Sequence, residues 1–354
     1  MQNSSRTLDS KAKSILIERR DSPNVCVAFS SRETPAGKFT FYKVLRDLDA
    51  NIIFANDYSN QWFLNGPPGY ADETKFAAWL RYQVDELLDG GKLYMIGASM
   101  GAYAALKYGA IMGADRIIAL GPESELCLPL GRSVTSLSRD RVGSGDITGL
   151  SYKNPNDVLV VSGSNDIVDV YCAASLQAAS PDLNVKLVLN SGHVVAKYLG
   201  EVFNLSEVVP TFFSSGDASF LDSVDTFAPP TVNEATALKI FNESLATKKV
   251  DVSRAKALRV VADKYPNWSF AQHFYALACE ATRNLSDAET YLNRALTAQP
   301  DLGRSRLKLA QILARHERWY EAVSLLELFP NERRTETVLE ILSRAKVAIS
   351  KEIS

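Results

Sequence analysis

Short runs of nearly unbroken apolar residues recur through the first part of the chain, at residues 24–29, 51–55, 92–96, 116–120, 157–161 and 185–189. Between them lie longer stretches whose apolar positions return at helical spacing, near residues 39–48, 73–88, 100–112 and 167–179. A strand with no polar alternation has to be covered on both faces. Strand and helix in alternation therefore predict a doubly wound, mostly parallel sheet, an α/β domain. Residues 121–156, between the fourth and fifth strands, are rich in serine, glycine and arginine and have the length of a small flap rather than a folded cap.

The pattern changes after residue 213. Residues 214–230 carry the polar residues and prolines of a linker, and no strand pattern follows them. The expected organisation is an N-terminal segment 1–23, an α/β domain 24–213, a linker 214–232 and an all-α region 233–354. Charge changes sign at the same place, with 20 basic and 26 acidic side chains in residues 1–232 against 19 and 15 in residues 233–354. Within the second part, similar residues recur 34 apart: Tyr275 and Leu309, Ala276 and Ala310, Ala288 and Ala322, Leu292 and Leu326, with Phe241, Leu258 and Pro266 one period earlier. This spacing resembles the tetratricopeptide repeat family. Gln272 and Arg306 stand where that family usually has a tryptophan, and Pro330 comes early. The resemblance implies a helical module that binds a partner segment, an acidic one given the basic excess; the alternative is that the helices pack on the α/β domain or on a second copy of the chain.

Chemistry is concentrated in Gly97-Ala98-Ser99-Met100-Gly101, which lies between a strand and a helix. A G-x-S-x-G in that context is a nucleophile elbow, a sharp turn that lifts a serine hydroxyl above the sheet edge. Glycine is required at both ends because strand and helix approach too closely for a Cβ. A serine hydroxyl needs a base, and a base needs an orienting carboxylate. The chain has three histidines, and His273 and His316 fall in the helical region, so His193, after the strand 184–190, is the base. The carboxylate is expected at a strand end between serine and histidine. Asp166 follows the strand 157–163 directly and is assigned the role, with Asp169 one helical turn further on as the alternative.

With these three residue types in this order, residues 24–213 resemble the α/β-hydrolase superfamily. That resemblance implies an oxyanion hole formed by the backbone N–H of Met100 and a second N–H from the loop after an early strand, where Ser30 and Ser31 stand and the common His-Gly pair is missing. Arg32 either clamps an anionic substrate group or is a solvated surface residue. Tyr58 and Trp62, in the glycine- and proline-rich loop 56–69, either line a substrate pocket or form the loop's own small core. Residues 29–32 with 56–58 and Trp62 are also similar to small hydrolase-like proteins of bacterial surface-glycan systems.

Composition narrows the setting. The formal charge of -2 shows no nucleic-acid stripe, and no apolar run is long enough for a signal peptide or a membrane span, so a cytoplasmic protein is expected. The four cysteines have no metal-ligand spacing and are expected as reduced thiols. A triad enzyme of this kind needs no cofactor and no metal. The expected activity is that of a serine hydrolase, a carboxylesterase, deacylase or thioesterase working through an acyl-enzyme. The alternatives are an acyltransferase acting on a glycan hydroxyl and a non-catalytic interaction protein built on a hydrolase scaffold.

Overall fold

The computed structural model describes residues 6–8, 13–142, 145–248 and 250–353. Its contacts divide the chain into two compact units, Met1–Ala235 and Thr236–Ser354.

The first unit is built on a nine-stranded sheet of β1 (Arg6–Leu8), β2 (Ile15–Glu18), β3 (Val25–Phe29), β4 (Asn51–Ala55), β5 (Leu93–Ala98), β6 (Arg116–Leu120), β7 (Val158–Gly163), β8 (Asn184–Val188) and β9 (Thr226–Phe227), in the order β1-β2-β4-β3-β5-β6-β7-β8-β9. The strands from β3 to β8 run parallel, and β1, β2 and β9 are antiparallel at the edges. The helices of this unit are α1 (Glu73–Leu87), α2 (Met100–Met112), α3 (Arg139–Val142), α4 (Ile167–Ala179), α5 (Val195–Val202) and α6 (Leu205–Ser215). All five residues of β3, β4 and β6 are buried, as continuous apolar strands require. The result is the doubly wound, mostly parallel α/β arrangement anticipated from the sequence.

The structure departs from expectation in several places. Residues 39–48 form successive turns instead of a helix. Phe41 has φ 66°, and the carbonyls of Leu45 and Leu48 accept from the Arg20 guanidinium at 3.1 and 2.6 Å, so they are satisfied without an amide one turn further on. The sheet also reaches beyond its expected bounds. β1 and β2 lie in what reads as a leading segment, and β9, in the apparent linker, pairs with β8. α6 was hidden by its internal Pro210.

The second unit is all-helical. It contains α7 (Val232–Ala246), which begins just before the boundary, then α8 (Ala255–Lys264), α9 (Ser269–Ala281), α10 (Leu285–Ala298), α11 (Gly303–Arg315), α12 (Trp319–Glu327) and α13 (Glu336–Ile353). α9 and α11 begin 34 residues apart, as do α10 and α12. Ala288 and Leu292 on α10, and Ala322 and Leu326 on α12, are fully buried at equivalent places. Among the described residues, no helix is long and apolar enough to cross a membrane.

Candidate active site

Ser99 sits between β5 and α2 with φ 54° and ψ −117°, a backbone conformation that L residues rarely adopt. The surroundings enforce it. A Cβ on Gly97 would lie 2.0 Å from the Gly101 carbonyl oxygen, and one on Gly101 would lie 2.3 Å from that of Phe29. Both obstacles are backbone and cannot swing aside. Gly101→Ala is therefore expected to lower stability by roughly 2–3 kcal/mol, read as a shift in denaturant midpoint; an unchanged midpoint would mean that the close approach does not enforce the turn. Ala102, Ala104 and Ala105 continue the tight packing and are fully buried.

His193 is held in the loop after β8. The Asn165 N–H donates to the Ser191 carbonyl at 2.8 Å, the Asn190 N–H to the Ser164 hydroxyl at 2.8 Å, and the Val195 N–H to the carbonyl of His193 itself at 2.8 Å. Its Nε2 is 2.9 Å from the Ser99 Oγ, and its Nδ1 is 2.9 Å from each carboxylate oxygen of Asp169. A carboxylate only accepts, so Nδ1 carries the proton and Nε2 is left to accept from the Ser99 hydroxyl. Gly121, after β6, was not singled out from the sequence. It has φ 64°, and a Cβ there would lie 3.2 Å from the His193 carbonyl oxygen and 3.8 Å from its Cε1.

The carboxylate beside His193 is therefore Asp169, not Asp166. Asp166 is the N-cap of α4, its Oδ1 accepting from the amides of Val168 and Asp169 at 3.0 and 3.1 Å, while its Oδ2 pairs with Arg132 Nη2 at 2.5 Å. Its oxygens are taken up by the helix start and by Arg132, so it lies near the imidazole without bonding to it. Asp169, in the first turn, is completely buried and faces it. A signal for this was present in the sequence, because an aspartate immediately before an apolar helical run is a capping residue.

Burial pushes the Asp169 carboxyl well above the ordinary range, helped by the nearby charge of Asp166 and opposed by the His193 hydrogen bond and the Arg132 charge. Burial alone would lower His193. The hydrogen bond to Asp169 and its charge outweigh that, and the imidazole ends above its usual value of 6.5. Atoms of Asp166, Asp169 and His193 lie within 4.8 Å of one another, a grouping that could hold a metal ion. Each is engaged with the protein, and a cation drawing on Asp166 would compete with Arg132.

The other expected site residues are distributed unevenly. Met100 opens α2, so its amide has no carbonyl one turn back within the helix. The Ser30 amide is committed to the Ala55 carbonyl at 2.8 Å, which removes it as an oxyanion donor. Ser31 donates its amide to the Thr40 hydroxyl at 3.1 Å, and that hydroxyl also meets the Ser31 and Thr34 hydroxyls at 3.2 Å. Arg32 is not a free clamp: it donates to the Thr135 hydroxyl at 2.8 Å and pairs with Glu33 at 2.8 Å. Tyr58 is half-buried. Trp62 does not line a pocket open to solvent, being only 1% exposed. Its loop folds onto the core instead, with the Phe63 ring edge-on to Phe29 at 5.3 Å and the Phe63 carbonyl accepting from the Tyr108 hydroxyl at 2.9 Å.

A second Ser–His contact, His273 Nδ1 to Ser305 Oγ at 2.9 Å, lies in the helical unit. Burial, with the charges of Arg304 and Lys308, holds His273 down to about 3, and it reads as a neutral core residue.

Comparison with protein-family models gives no match, and comparison with curated proteins gives none. Among solved structures, a capsule O-acetyltransferase of Neisseria meningitidis serogroup A in complex with CoA is similar at 14% identity, over 57% of this chain and 93% of that one, with a TM-score of 0.39. MenH from S. aureus is similar at 13% identity over 58% and 99%, with a TM-score of 0.41. Est1E from Butyrivibrio proteoclasticus is similar at 17% identity over 59% and 97%, with a TM-score of 0.38.

Proposed function

We propose that the chain is a serine-dependent acyl-transfer enzyme that hydrolyses an ester or thioester, with Ser99 as nucleophile, His193 as base and Asp169 as its orienting acid. The observation that carries this is the unbroken relay of Ser99 to His193 at 2.9 Å and His193 to Asp169 at 2.9 Å, set at a strained elbow. Three chemically matched groups in line require a cost in backbone strain and carboxylate burial that a scaffold would not need to bear. Ser99 Oγ attacks the acyl carbonyl as its proton passes to His193 Nε2. The Met100 amide, with that of Ser31 once Thr40 turns, donates to the oxyanion. The tetrahedral species collapses when His193 returns the proton to the leaving group, and water activated by the same nitrogen then releases the acyl-enzyme.

The test is reaction with a fluorophosphonate followed by peptide mapping, and a panel of acetyl, longer acyl and thioester substrates. Phosphonylation of Ser99 is expected, and an unlabelled Ser99 in folded protein overturns the assignment. A carbohydrate hydroxyl in place of water gives the acyltransferase form of the same chemistry, and added acceptor then consumes the acyl donor without releasing free acid.

His193 must be neutral to take the proton. Activity is therefore expected to fall as pH drops through a value above the usual histidine pKa, because Asp169 favours the imidazolium. A kcat/KM profile that stays flat through the neutral range down to pH 5 would count against His193 as base.

The helical unit is proposed as a module for a partner segment, in keeping with its tetratricopeptide-like spacing. A groove of about 920 Å³ within it carries Leu277 and Leu307 beside Arg283 and Arg304, while Lys308 and Arg315 pair there with Glu280 at 3.1 and 2.7 Å; a partly apolar segment with a few acidic groups suits it. A chain ending at Pro230, which keeps β9 in the sheet, is expected to retain turnover of small esters. If that chain is soluble and folded but inactive, the helical unit helps to build the site and the proposed separation of roles fails.

A further inference from the structure

Asp166 lies beside the relay without being part of it, and its partner comes from a distant stretch of chain. Arg132 stands in the segment between β6 and β7, its side chain 28% exposed, and reaches Asp166 at 2.5 Å. The segment is anchored in turn. Glu123, only 1% exposed, accepts from the backbone amide of Arg132 and from that of Ser133 at 3.0 Å. The Thr135 hydroxyl donates to the Arg132 carbonyl at 2.7 Å and accepts from Arg32 at 2.8 Å, which ties the segment to the loop after β3. At the other end, Asp166 accepts from the amide of Asp169 itself at 3.1 Å.

We infer that Arg132 and Asp166 form a positioning pair for the acid: the guanidinium fixes Asp166 over the start of α4, and Asp166 fixes the backbone of Asp169 against His193. The inference rests on the proposed roles of Ser99, His193 and Asp169. It gives the segment between β6 and β7 a function in the reaction, as the carrier of the arginine that steadies the buried acid.

Opposite charges make the pair testable. The charged groups around the imidazole are Asp169 in contact with it, Asp166 at the start of α4 and Arg132 from the intervening segment, with Glu123 behind Arg132. Arg132 disfavours the imidazolium and Asp166 favours it, so the two oppose each other and loss of either member leaves the other uncompensated. Opposite shifts follow from the two charges alone, so the positioning role is read from the loss of kcat at held KM in Arg132→Met and its rescue by Arg132→Lys.

The experiment uses the full chain. The acid limb of the kcat/KM profile is measured for Arg132→Met, Asp166→Asn, the double variant and Arg132→Lys, and the His193 ring is titrated by NMR in each. Arg132→Met is expected to move the limb and the His193 midpoint to higher pH, and Asp166→Asn to lower pH, the asparagine oxygen keeping the helix cap. The double variant is expected to return near the wild type, and Arg132→Lys to stay there. Arg132→Met also loses about tenfold in kcat with KM held, since a displaced orienting acid affects the reacting geometry and not binding. An unchanged kcat in Arg132→Met, or shifts of the same sign in the two single variants, overturns the inference. Should Arg132→Met fail to fold, Asp166→Ala, which removes both the cap and the pair, decides: kcat is expected to fall with KM held, and an unchanged kcat overturns the inference. The titration needs no turnover, so failure of the serine-enzyme assignment, seen as an unlabelled wild type, is distinguished from failure of the pair.

Discussion

Ser99→Ala is expected to abolish fluorophosphonate labelling and to lower ester turnover by a factor on the order of 10⁴ to 10⁶ while leaving the fold intact. Alanine removes only the attacking oxygen, so any residual rate comes from the oxyanion donors and binding. The hydroxyl makes no cap bond to α2, and its one contact given by the structure is to His193 at 2.9 Å, so its loss removes little that holds the elbow together. The backbone strain at φ 54° is independent of the hydroxyl and remains. Circular dichroism and a melting curve separate lost chemistry from lost structure. Labelling that persists in this variant would mean that another nucleophile reacts, and the elbow would then be only a turn.

How much of this could be read from the chain depends on what each residue answers to. The central strands were legible because burial on both faces leaves a continuous apolar record, as in VCVAF at β3 and RIIAL at β6. The edge strands left no such record. β9 is two residues long and half-buried, and its place is decided by pairing with β8, a contact remote in sequence. Residues 39–48 carry helical spacing, but Arg20, far off in sequence, supplies the hydrogen bonds that let them turn instead. In the site, the Ser99–His193 contact follows from local signals: two glycines without room for a Cβ, and few histidines to choose from. Separating Asp166 from Asp169 needed the direction of two side chains a single turn apart, and the cap rule that separates them was the one local clue. Trp62 reads equally as a pocket aromatic or as part of a core made by its loop, and left-handed turns at Asn60, Trp62 and Phe63 decide for the core by curling the loop inward.

The choice of acid carries the second large effect. Asp169→Asn is expected to lower kcat by about 10⁴, because the amide presents a donor to Nδ1 and favours the tautomer whose Nε2 already bears a proton and cannot accept from Ser99. Stability is expected to hold or rise. Asp169 is completely buried, and burial already disfavours its charge, so a neutral amide of the same shape relieves desolvation even as it spoils the hydrogen bond. Asp166→Asn should leave kcat within about tenfold, since its oxygen can still cap α4 and it does not touch the imidazole. The two variants therefore make a direct comparison at positions three residues apart, measured with one ester and one melting curve. If Asp166→Asn proved the damaging change and Asp169→Asn the mild one, the acid would be Asp166, reached through a rearranged start of α4. The relay described for Asp169 would then belong to a resting arrangement and not to the reacting one.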